Sequence, residues 1–127
     1  MTTLSHRADA IFADARALQE DALEMLELGK IRNAAEKAWG ATKRATDALI
    51  LARTSNEPER TPETSAELRA LAGRDPEVQS LVGRYYSRQG VLHGDCFYLG
   101  LCEPLEDTER RIRETATYID DAERLAA

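Results

Sequence analysis

Apolar residues recur along the chain at alternating steps of three and four, which is the pattern of amphipathic helices. In residues 4–28 the repeated positions are Leu4, Ala8, Ile11, Ala15, Leu18, Ala22 and Met25. Thr2 or Thr3 is placed to cap the start of this helix, and Gly29 is placed to end it. The pattern predicts a first helix over residues 4–28.

A second helix is predicted from Lys30 to about Arg53, and it carries a ladder of small residues. The members of this alanine ladder are Ala34, Ala38, Ala41, Ala45, Ala48 and Ala52. Small side chains allow the backbone of another helix to come close, so this face buries surface area through close helix packing and not through bulky side chains. Trp39, Thr46 and Ile50 form a separate stripe. We interpret Trp39 as a packing residue in preference to a surface for stacking a ligand base.

The remaining helices are delimited by proline and glycine. A polar loop spans Thr54–Thr61, and the third helix is short, from Thr61 to Gly73. Asp75-Pro76-Glu77 opens a fourth helix, and Pro104 separates it from a fifth over Leu105–Ala126. The fold class predicted is all-α, an up-and-down bundle of four long helices plus one short helix, in a single domain over residues 1–127.

The fourth helix has an apolar side and a stripe of small residues. Its apolar side is Val78, Leu81, Tyr85, Leu92, Cys96 and Leu99. The small residues, here called the glycine stripe, are Gly83, Ser87, Gly90 and Gly94. Since each glycine costs a helix interior roughly 1 kcal/mol relative to alanine, the stripe predicts a compensating close contact. The partner would be the alanine ladder or the same helix of a second subunit in a homodimer.

Composition limits the functions that need consideration. The chain has 127 residues, a net charge of −6 and a pI of about 5.0, which argues against broad non-specific binding of nucleic acid. No apolar run approaches the roughly 20 residues needed to span a bilayer, and the N-terminus lacks a signal-peptide pattern, so we expect a cytoplasmic protein without membrane contact. Cys96 and Cys102 are predicted to be reduced packing thiols, and no metal-ligand motif is present. The first and fifth helices are acidic and the second and fourth basic, which predicts some charge pairing between helices.

The residues from Val78 to Gly94 include no Asp or Glu, although the chain is acidic overall. This window holds Arg88, whose guanidinium is a planar fork of donors suited to phosphate, and His93, whose imidazole can transfer a proton near neutral pH. Such a pair can cleave RNA without a metal. On a straight α-helix, however, five steps place the two side chains about 140° apart. They would meet on one phosphate only if the helix bends, the arginine wraps round, or a second subunit supplies one of them.

Two further interpretations of this window stay open. Gln89 precedes His93 by four residues and is predicted to orient its ring. In the alternative, structural interpretation, Arg88 pairs with a carboxylate of a neighbouring helix and His93 is a satisfied interior histidine. His6, near the N-terminus, is expected to be an ordinary surface residue.

Two segments together resemble a known superfamily. LELGKIRNAAEKAWGATKRATDALI and RQGVLHGDCFY, near the ends of two long helices, are similar to HEPN domains (higher eukaryotes and prokaryotes nucleotide-binding), and most to their archaeal paralogous-repeat branch. The likeness extends from Leu4 to about Leu125. It implies a helical bundle whose members are often metal-independent ribonucleases in toxin or defence systems. Their signature is an arginine, four to six residues and a histidine, which Arg88 and His93 match.

The resemblance also implies partners. The family's cleft commonly lies between two subunits, which predicts a homodimer through the fourth helix with RNA or a nucleotide as ligand and no cofactor. Some members are inhibited by a nucleotidyltransferase-type antitoxin that modifies a tyrosine two positions after the histidine. Here that position is Asp95, and the nearest following tyrosine is Tyr98.

Three functions follow as hypotheses. The first is a homodimeric RNA endonuclease with Arg88 and His93 as catalytic residues. The second is a non-catalytic nucleotide-binding or regulatory module. The third is a structural helical partner of another protein. The residues predicted to bind phosphate or nucleotide are Arg84, Gln89 and Tyr98.

Overall fold

The computed structural model describes residues 3–127, and their side chains from His6 onward. Its α-helices are α1 (Thr3–Glu27), α2 (Ile31–Thr54), α3 (Thr61–Arg74), α4 (Gln79–Arg88), α5 (Leu105–Arg113) and α6 (Thr115–Ala126), with a π-helix (Gln89–Tyr98) directly after α4. Gly29 ends α1 at φ +74°, as predicted, because glycine adopts this left-handed conformation without steric cost. The predicted N-cap at Thr2 or Thr3 lies outside the described side chains.

Helix α2 is the centre of the bundle. It packs most extensively against α1, and it also contacts α3, α4, the π-helix, α5 and α6. The alanine ladder is buried from Ala34 to Ala48, whereas Ala52 is exposed. On another face, Trp39 lies 5.2 Å from the ring of Tyr85 and is 6% exposed, which confirms it as a packing residue. A helix buried on several sides explains why α2 carries two apolar stripes instead of one.

The predicted all-α bundle is confirmed. Its four long members are α1, α2, α4 with the π-helix, and α5 with α6, and α3 is the short one. The predicted fifth helix is interrupted at Glu114, where the backbone has φ −70° and ψ −6°. This interruption leaves carbonyl groups at the end of α5 without partners inside the helix. No helix within residues 3–127 combines the length and apolar character needed to cross a membrane.

Ion pairs between helices account for part of the charge distribution. Arg44 of α2 bonds Asp14 of α1, and Arg84 of α4 bonds Asp121 of α6. Asp47, which is fully buried, accepts from Lys43 and Arg44 and from the hydroxyl of Thr64 at 2.6 Å. A buried carboxylate needs such partners, because an unpaired one is strongly destabilising. The predicted pairing of basic and acidic helices is therefore present.

The sequence predicts one continuous α-helix for the fourth helix, but only its first part is α-helical. From Gln89 to Tyr98 the chain forms a wider π-helix, in which an N–H donates to the carbonyl five residues earlier. An example is the bond from Leu99 N–H to Gly94 O, at 3.2 Å. Leu99, predicted to be on the apolar side, is 65% exposed because it lies beyond the end of this helix. Periodicity at three and four cannot distinguish a π-helix from an α-helix over so short a segment.

One prediction about packing is wrong, and one of the two partners considered for the glycine stripe is excluded. Cys96 and Cys102 form a disulfide, since the chain turns back at Gly100 (φ +71°) and brings their Cα atoms to 4.3 Å. The glycine stripe does not lie against the alanine ladder. A Cβ atom built at Gly83 or Gly90 would meet nothing within 4 Å. Within one chain these two glycines therefore lack the predicted close contact, which would have to come from a second subunit.

Candidate functional site

His93 is held by a carboxylate from the central helix. Its Nδ1 lies 2.7 Å from Oε1 of Glu36, and both side chains are about one-third exposed. Three aromatic rings surround the imidazole: Trp39 at 6.3 Å, Phe97 at 6.1 Å and Tyr98 at 5.8 Å between centroids. Among the described residues, Nε2 has no hydrogen-bond partner. A carboxylate on one ring nitrogen fixes the orientation of the imidazole and leaves the other nitrogen for proton transfer.

Two expectations about His93 are wrong, because Glu36 is the residue that orients its ring. Gln89 makes no hydrogen bond to it within the described part of the chain, because the π-helix aligns residues five apart and displaces a residue four before. The histidine is also not a satisfied interior residue, since one nitrogen remains open. Glu36 went unrecognised as a site residue; its position within AAEKAW, one turn from Trp39, gives no signal in sequence alone.

Arg88 lies in the interior. It is 5% exposed, and its Nε donates to Thr42 Oγ1 at 3.0 Å. Its Nη2 donates to the carbonyl of Arg111 and to the hydroxyl of Thr115. These acceptors are all neutral, so the predicted pairing with a carboxylate is wrong. The Arg111 carbonyl is near the C-terminal end of α5, where the helix dipole favours a cation.

The electrostatic consequence is a buried positive charge. Burial lowers the pKa of Arg88 to about 10, which still leaves the guanidinium charged at neutral pH. Its burial follows a pattern that the sequence contained. Arg88 comes three residues after Tyr85 and four before Leu92, so it continues the apolar stripe of the fourth helix.

Arg88 and His93 face the same helix but do not share a partner among the described residues. Arg88 bonds Thr42 of α2 and His93 bonds Glu36 of α2. These contact points are six residues apart, or about 9 Å along the helix axis. The π-helix contributes to this common direction, since five residues complete one of its hydrogen-bonded turns. The 140° separation expected on an α-helix therefore does not apply.

A basic cleft lies beside Arg88. It has a volume of about 530 Å³ and is lined by Gly83, Arg84, Ser87, Arg88, Arg111, Glu114 and Thr117. Arg84 bonds Asp121 at 2.8 Å and lies over the ring of Tyr118. The side chain of Arg111 is half-buried and has no ion pair or hydrogen bond with any described residue. Arg111 was missed because it lies in the acidic fifth helix, far from the acid-free window.

The other predicted binding residues lie apart from this cleft. Tyr98 is 69% exposed and lines a groove with Arg32, Asn33 and Phe97. Gln89 is half-buried, and it lines neither the basic cleft nor this groove. The structure therefore does not bring Arg84, Gln89 and Tyr98 together into one phosphate site in a single chain.

Comparison with known proteins gives one match. The model of the archaeal PaREP1/PaREP8 family matches residues 10–94, which is more than half of the chain. The chain belongs to the PaREP1/PaREP8 family. The matched PaREP1/PaREP8 region contains Glu36, Arg88 and His93, and the match names no reaction. Searches of the curated proteins and of the solved structures found no match. Within the described residues of this family member, no group of three or more His, Cys, Asp or Glu residues is placed to hold a metal.

Proposed function

We propose that this PaREP1/PaREP8 protein is a metal-independent RNA endonuclease of HEPN type that acts as a homodimer. The observation that supports the proposal most is the Glu36–His93 pair. Its carboxylate lies 2.7 Å from Nδ1 of a partly exposed imidazole whose Nε2 has no partner in the described residues. This is the arrangement that a general base or acid requires near neutral pH.

The proposed reaction uses the ribose 2′-hydroxyl as nucleophile. His93 Nε2 takes the proton of this hydroxyl, and the 2′-oxygen attacks phosphorus. A 2′,3′-cyclic phosphate forms as the bond to the 5′-oxygen breaks, and an imidazolium, from the second subunit in a dimer, protonates the leaving oxygen. Arg88, charged at neutral pH, stabilises the negative charge that develops on the phosphorus oxygens.

The donors of Arg88 are only partly used within one chain. Its Nε and Nη2 donate to Thr42, Thr115 and the Arg111 carbonyl, whereas Nη1 has no hydrogen-bond partner among the described residues and can donate to a phosphate oxygen in the cleft that Arg88 lines. A phosphate is the stronger acceptor, because it is charged and matches the planar donor fork. The open glycine stripe beside the site is the surface through which a second copy would approach.

Cleavage of mixed RNA in EDTA tests this proposal. We expect the wild-type protein to give fragments that end in 2′,3′-cyclic phosphate. His93→Ala is expected to lower the rate by about 100-fold or more, the usual contribution of general acid–base catalysis. Glu36→Gln is expected to lower kcat with little change in KM, because Glu36 positions the imidazole and does not bind substrate. His6→Ala is the matched control, since His6 is exposed and distant in sequence from the site.

Two results would contradict the proposed nuclease function. Absence of cleavage across structured and unstructured RNAs would remove the proposal. So would equal rates for the wild type, His93→Ala and His6→Ala, because a contaminating nuclease would then be responsible. The toxin or defence role and the nucleotidyltransferase-type antitoxin suggested by the HEPN resemblance stay predictions, as does a cytoplasmic location.

A second candidate function is favoured by the basic cleft. A guanidinium without a partner in the described chain, Arg111, lies beside the cleft-lining Arg84 and Arg88, a combination suited to binding a phosphorylated nucleotide without cleaving it. Calorimetry with ATP and ADP should then give saturable heat that Arg111→Ala abolishes. Arg113→Ala is the control, because Arg113 is exposed and pairs with Glu109. No heat with either nucleotide would dismiss this candidate.

A further inference from the structure

A groove beside His93 combines an exposed aromatic ring with open polar groups. It has a volume of about 550 Å³, within the usual range for ligand sites, and is lined by Arg32, Asn33, Phe97 and Tyr98. Tyr98 is 69% exposed, although its ring lies only 5.8 Å from that of His93. The face of the Tyr98 ring is therefore open for stacking, next to the histidine that is proposed to transfer protons.

The groove is preorganised by its own backbone contacts. Arg32 donates to the carbonyl of Phe97 at 2.7 Å and to that of Tyr98 at 3.2 Å, which fixes the end of the π-helix against α2. Gly100, at φ +71°, provides the left-handed turn that directly follows this segment. The disulfide from Cys96 to Cys102 closes the same segment. The ring of Tyr98 is therefore presented on a fixed backbone.

One polar side chain of the groove, Asn33, remains available to a ligand. The Asn33 side chain is exposed and makes no hydrogen bond to any residue that the structure describes. Its amide offers a donor and an acceptor side by side, the pairing found on the edges of nucleobases. The ring of Phe97, which also lines the groove, is nearly parallel to that of His93, at an interplanar angle of 23°.

We propose that this groove binds one unpaired nucleobase of single-stranded RNA, which stacks on Tyr98 while Asn33 hydrogen-bonds its edge. Unpaired bases are typically recognised by stacking on aromatic side chains and by hydrogen bonds to their edges. The base belongs to a nucleotide next to the one on which His93 acts, so the assignment of this substrate contact rests on the proposed nuclease function. The exposed Leu99 and Leu101 do not line the groove, which favours a polar, planar occupant over an apolar protein surface.

Binding of a fully 2′-O-methylated RNA 12-mer tests the proposal separately from cleavage, because this probe lacks the reactive hydroxyl. Fluorescence anisotropy should show Tyr98→Ala weakening the affinity at least about fivefold, the lower end of what one base–aromatic stack contributes. Tyr98→Phe keeps the ring and should bind as the wild type does. Asn33→Ala should reduce the differences in affinity among A, C and U homopolymers. A lack of cleavage by the wild type would not affect this measurement.

Leu99→Ala is the matched control, an adjacent apolar residue that is 65% exposed and does not line the groove. Equal weakening by Tyr98→Ala and Leu99→Ala would overturn the assignment, as would an absence of binding to the probe. Sedimentation of the free protein tests the alternative that a second subunit occupies the groove. A dimer that both substitutions dissociate would show that Tyr98 belongs to a subunit interface, which also overturns the proposal.

Discussion

Arg88 illustrates how burial changes the role of a charged residue. Its guanidinium is surrounded by two threonine hydroxyls and a carbonyl at the break between α5 and α6. Those acceptors bind its Nε and Nη2 donors but leave Nη1 without a partner in the described residues and do not neutralise the charge, so an anion that reaches the cleft gains a strong, partly desolvated interaction. His93 presents the opposite case, with a charged partner and an open nitrogen. Among the described residues, Arg88 therefore lacks a negatively charged partner, which a substrate can supply, whereas His93 lacks a partner for one ring nitrogen.

The buried tyrosines predict how stability depends on pH. Burial raises the pKa of Tyr85 to about 12, and burial raises that of Tyr118 as well. Because the folded-state pKa of Tyr85 exceeds the unfolded value near 10, its protonated hydroxyl contributes fully to stability below about pH 10. That contribution is lost as the pH rises from about 10 to about 12. We expect urea unfolding to show a free energy that falls over this range.

Tyr85→Phe should make this fall shallower, since the substituted ring cannot ionise. It should also cost on the order of 1 kcal/mol at neutral pH, because the hydroxyl bonds that of Ser65 at 2.9 Å. Tyr86→Phe serves as the control, as Tyr86 is 36% exposed. Identical alkaline slopes for all three proteins would contradict the argument.

At the scale of elements, the segment from Gln89 to Cys102 determines where the site residues point. The π-helix turns Arg88 and His93 towards the same central helix, and the turn at Gly100 brings Cys102 back to Cys96. Arg32 then ties the end of the π-helix to α2 through two carbonyls. Covalent and hydrogen-bonded constraints thus act on one short segment that carries Phe97 and Tyr98. Such constraints preorganise a binding groove before a ligand arrives.

The disulfide is expected to add measurable stability. Closing a loop with a sequence separation of six is worth about 2 kcal/mol on chain-entropy grounds. The Cys96→Ala, Cys102→Ala double variant should lose roughly that amount in urea unfolding. Dithiothreitol should lower the stability of the wild type similarly and leave the double variant unchanged. Free thiols in the unreduced, unfolded wild type would show that the bond does not form.

At the scale of the molecule, an acidic bundle has a basic cleft and an uncovered stripe of small residues along one long helix. Ion pairs between helices use part of the remaining charge, as between Arg16 and Asp120. The open glycine stripe costs helix stability within one chain and gains nothing there in packing. A second copy packed on the stripe would offset this cost through close backbone contact and would join two sets of site residues.

Gly90→Glu tests that assembly. A side chain at Gly90 meets nothing within 4 Å in the chain, so folding should be undisturbed, whereas a carboxylate should block a second backbone. In sedimentation equilibrium we expect the wild type at twice its mass of 14.1 kDa and the variant at the monomer mass. Gly73→Glu is the control, because Gly73 lies in α3 and is equally unobstructed. A monomeric wild type, or a dimeric Gly90→Glu variant, would rule out the stripe as the interface.

The amino-acid pattern alone determined the helices, their order and most of the core, because the spacing of apolar residues and the glycine and proline positions act locally. It also drew attention to Arg88 and His93 through the absence of carboxylates around them. Only the tertiary structure decided that Glu36 orients His93, that Arg88 bonds neutral acceptors instead of a carboxylate, and that Arg111 joins the cleft. These facts depend on contacts between residues distant in sequence and on a π-helix, whose geometry the apolar spacing of the fourth helix did not encode.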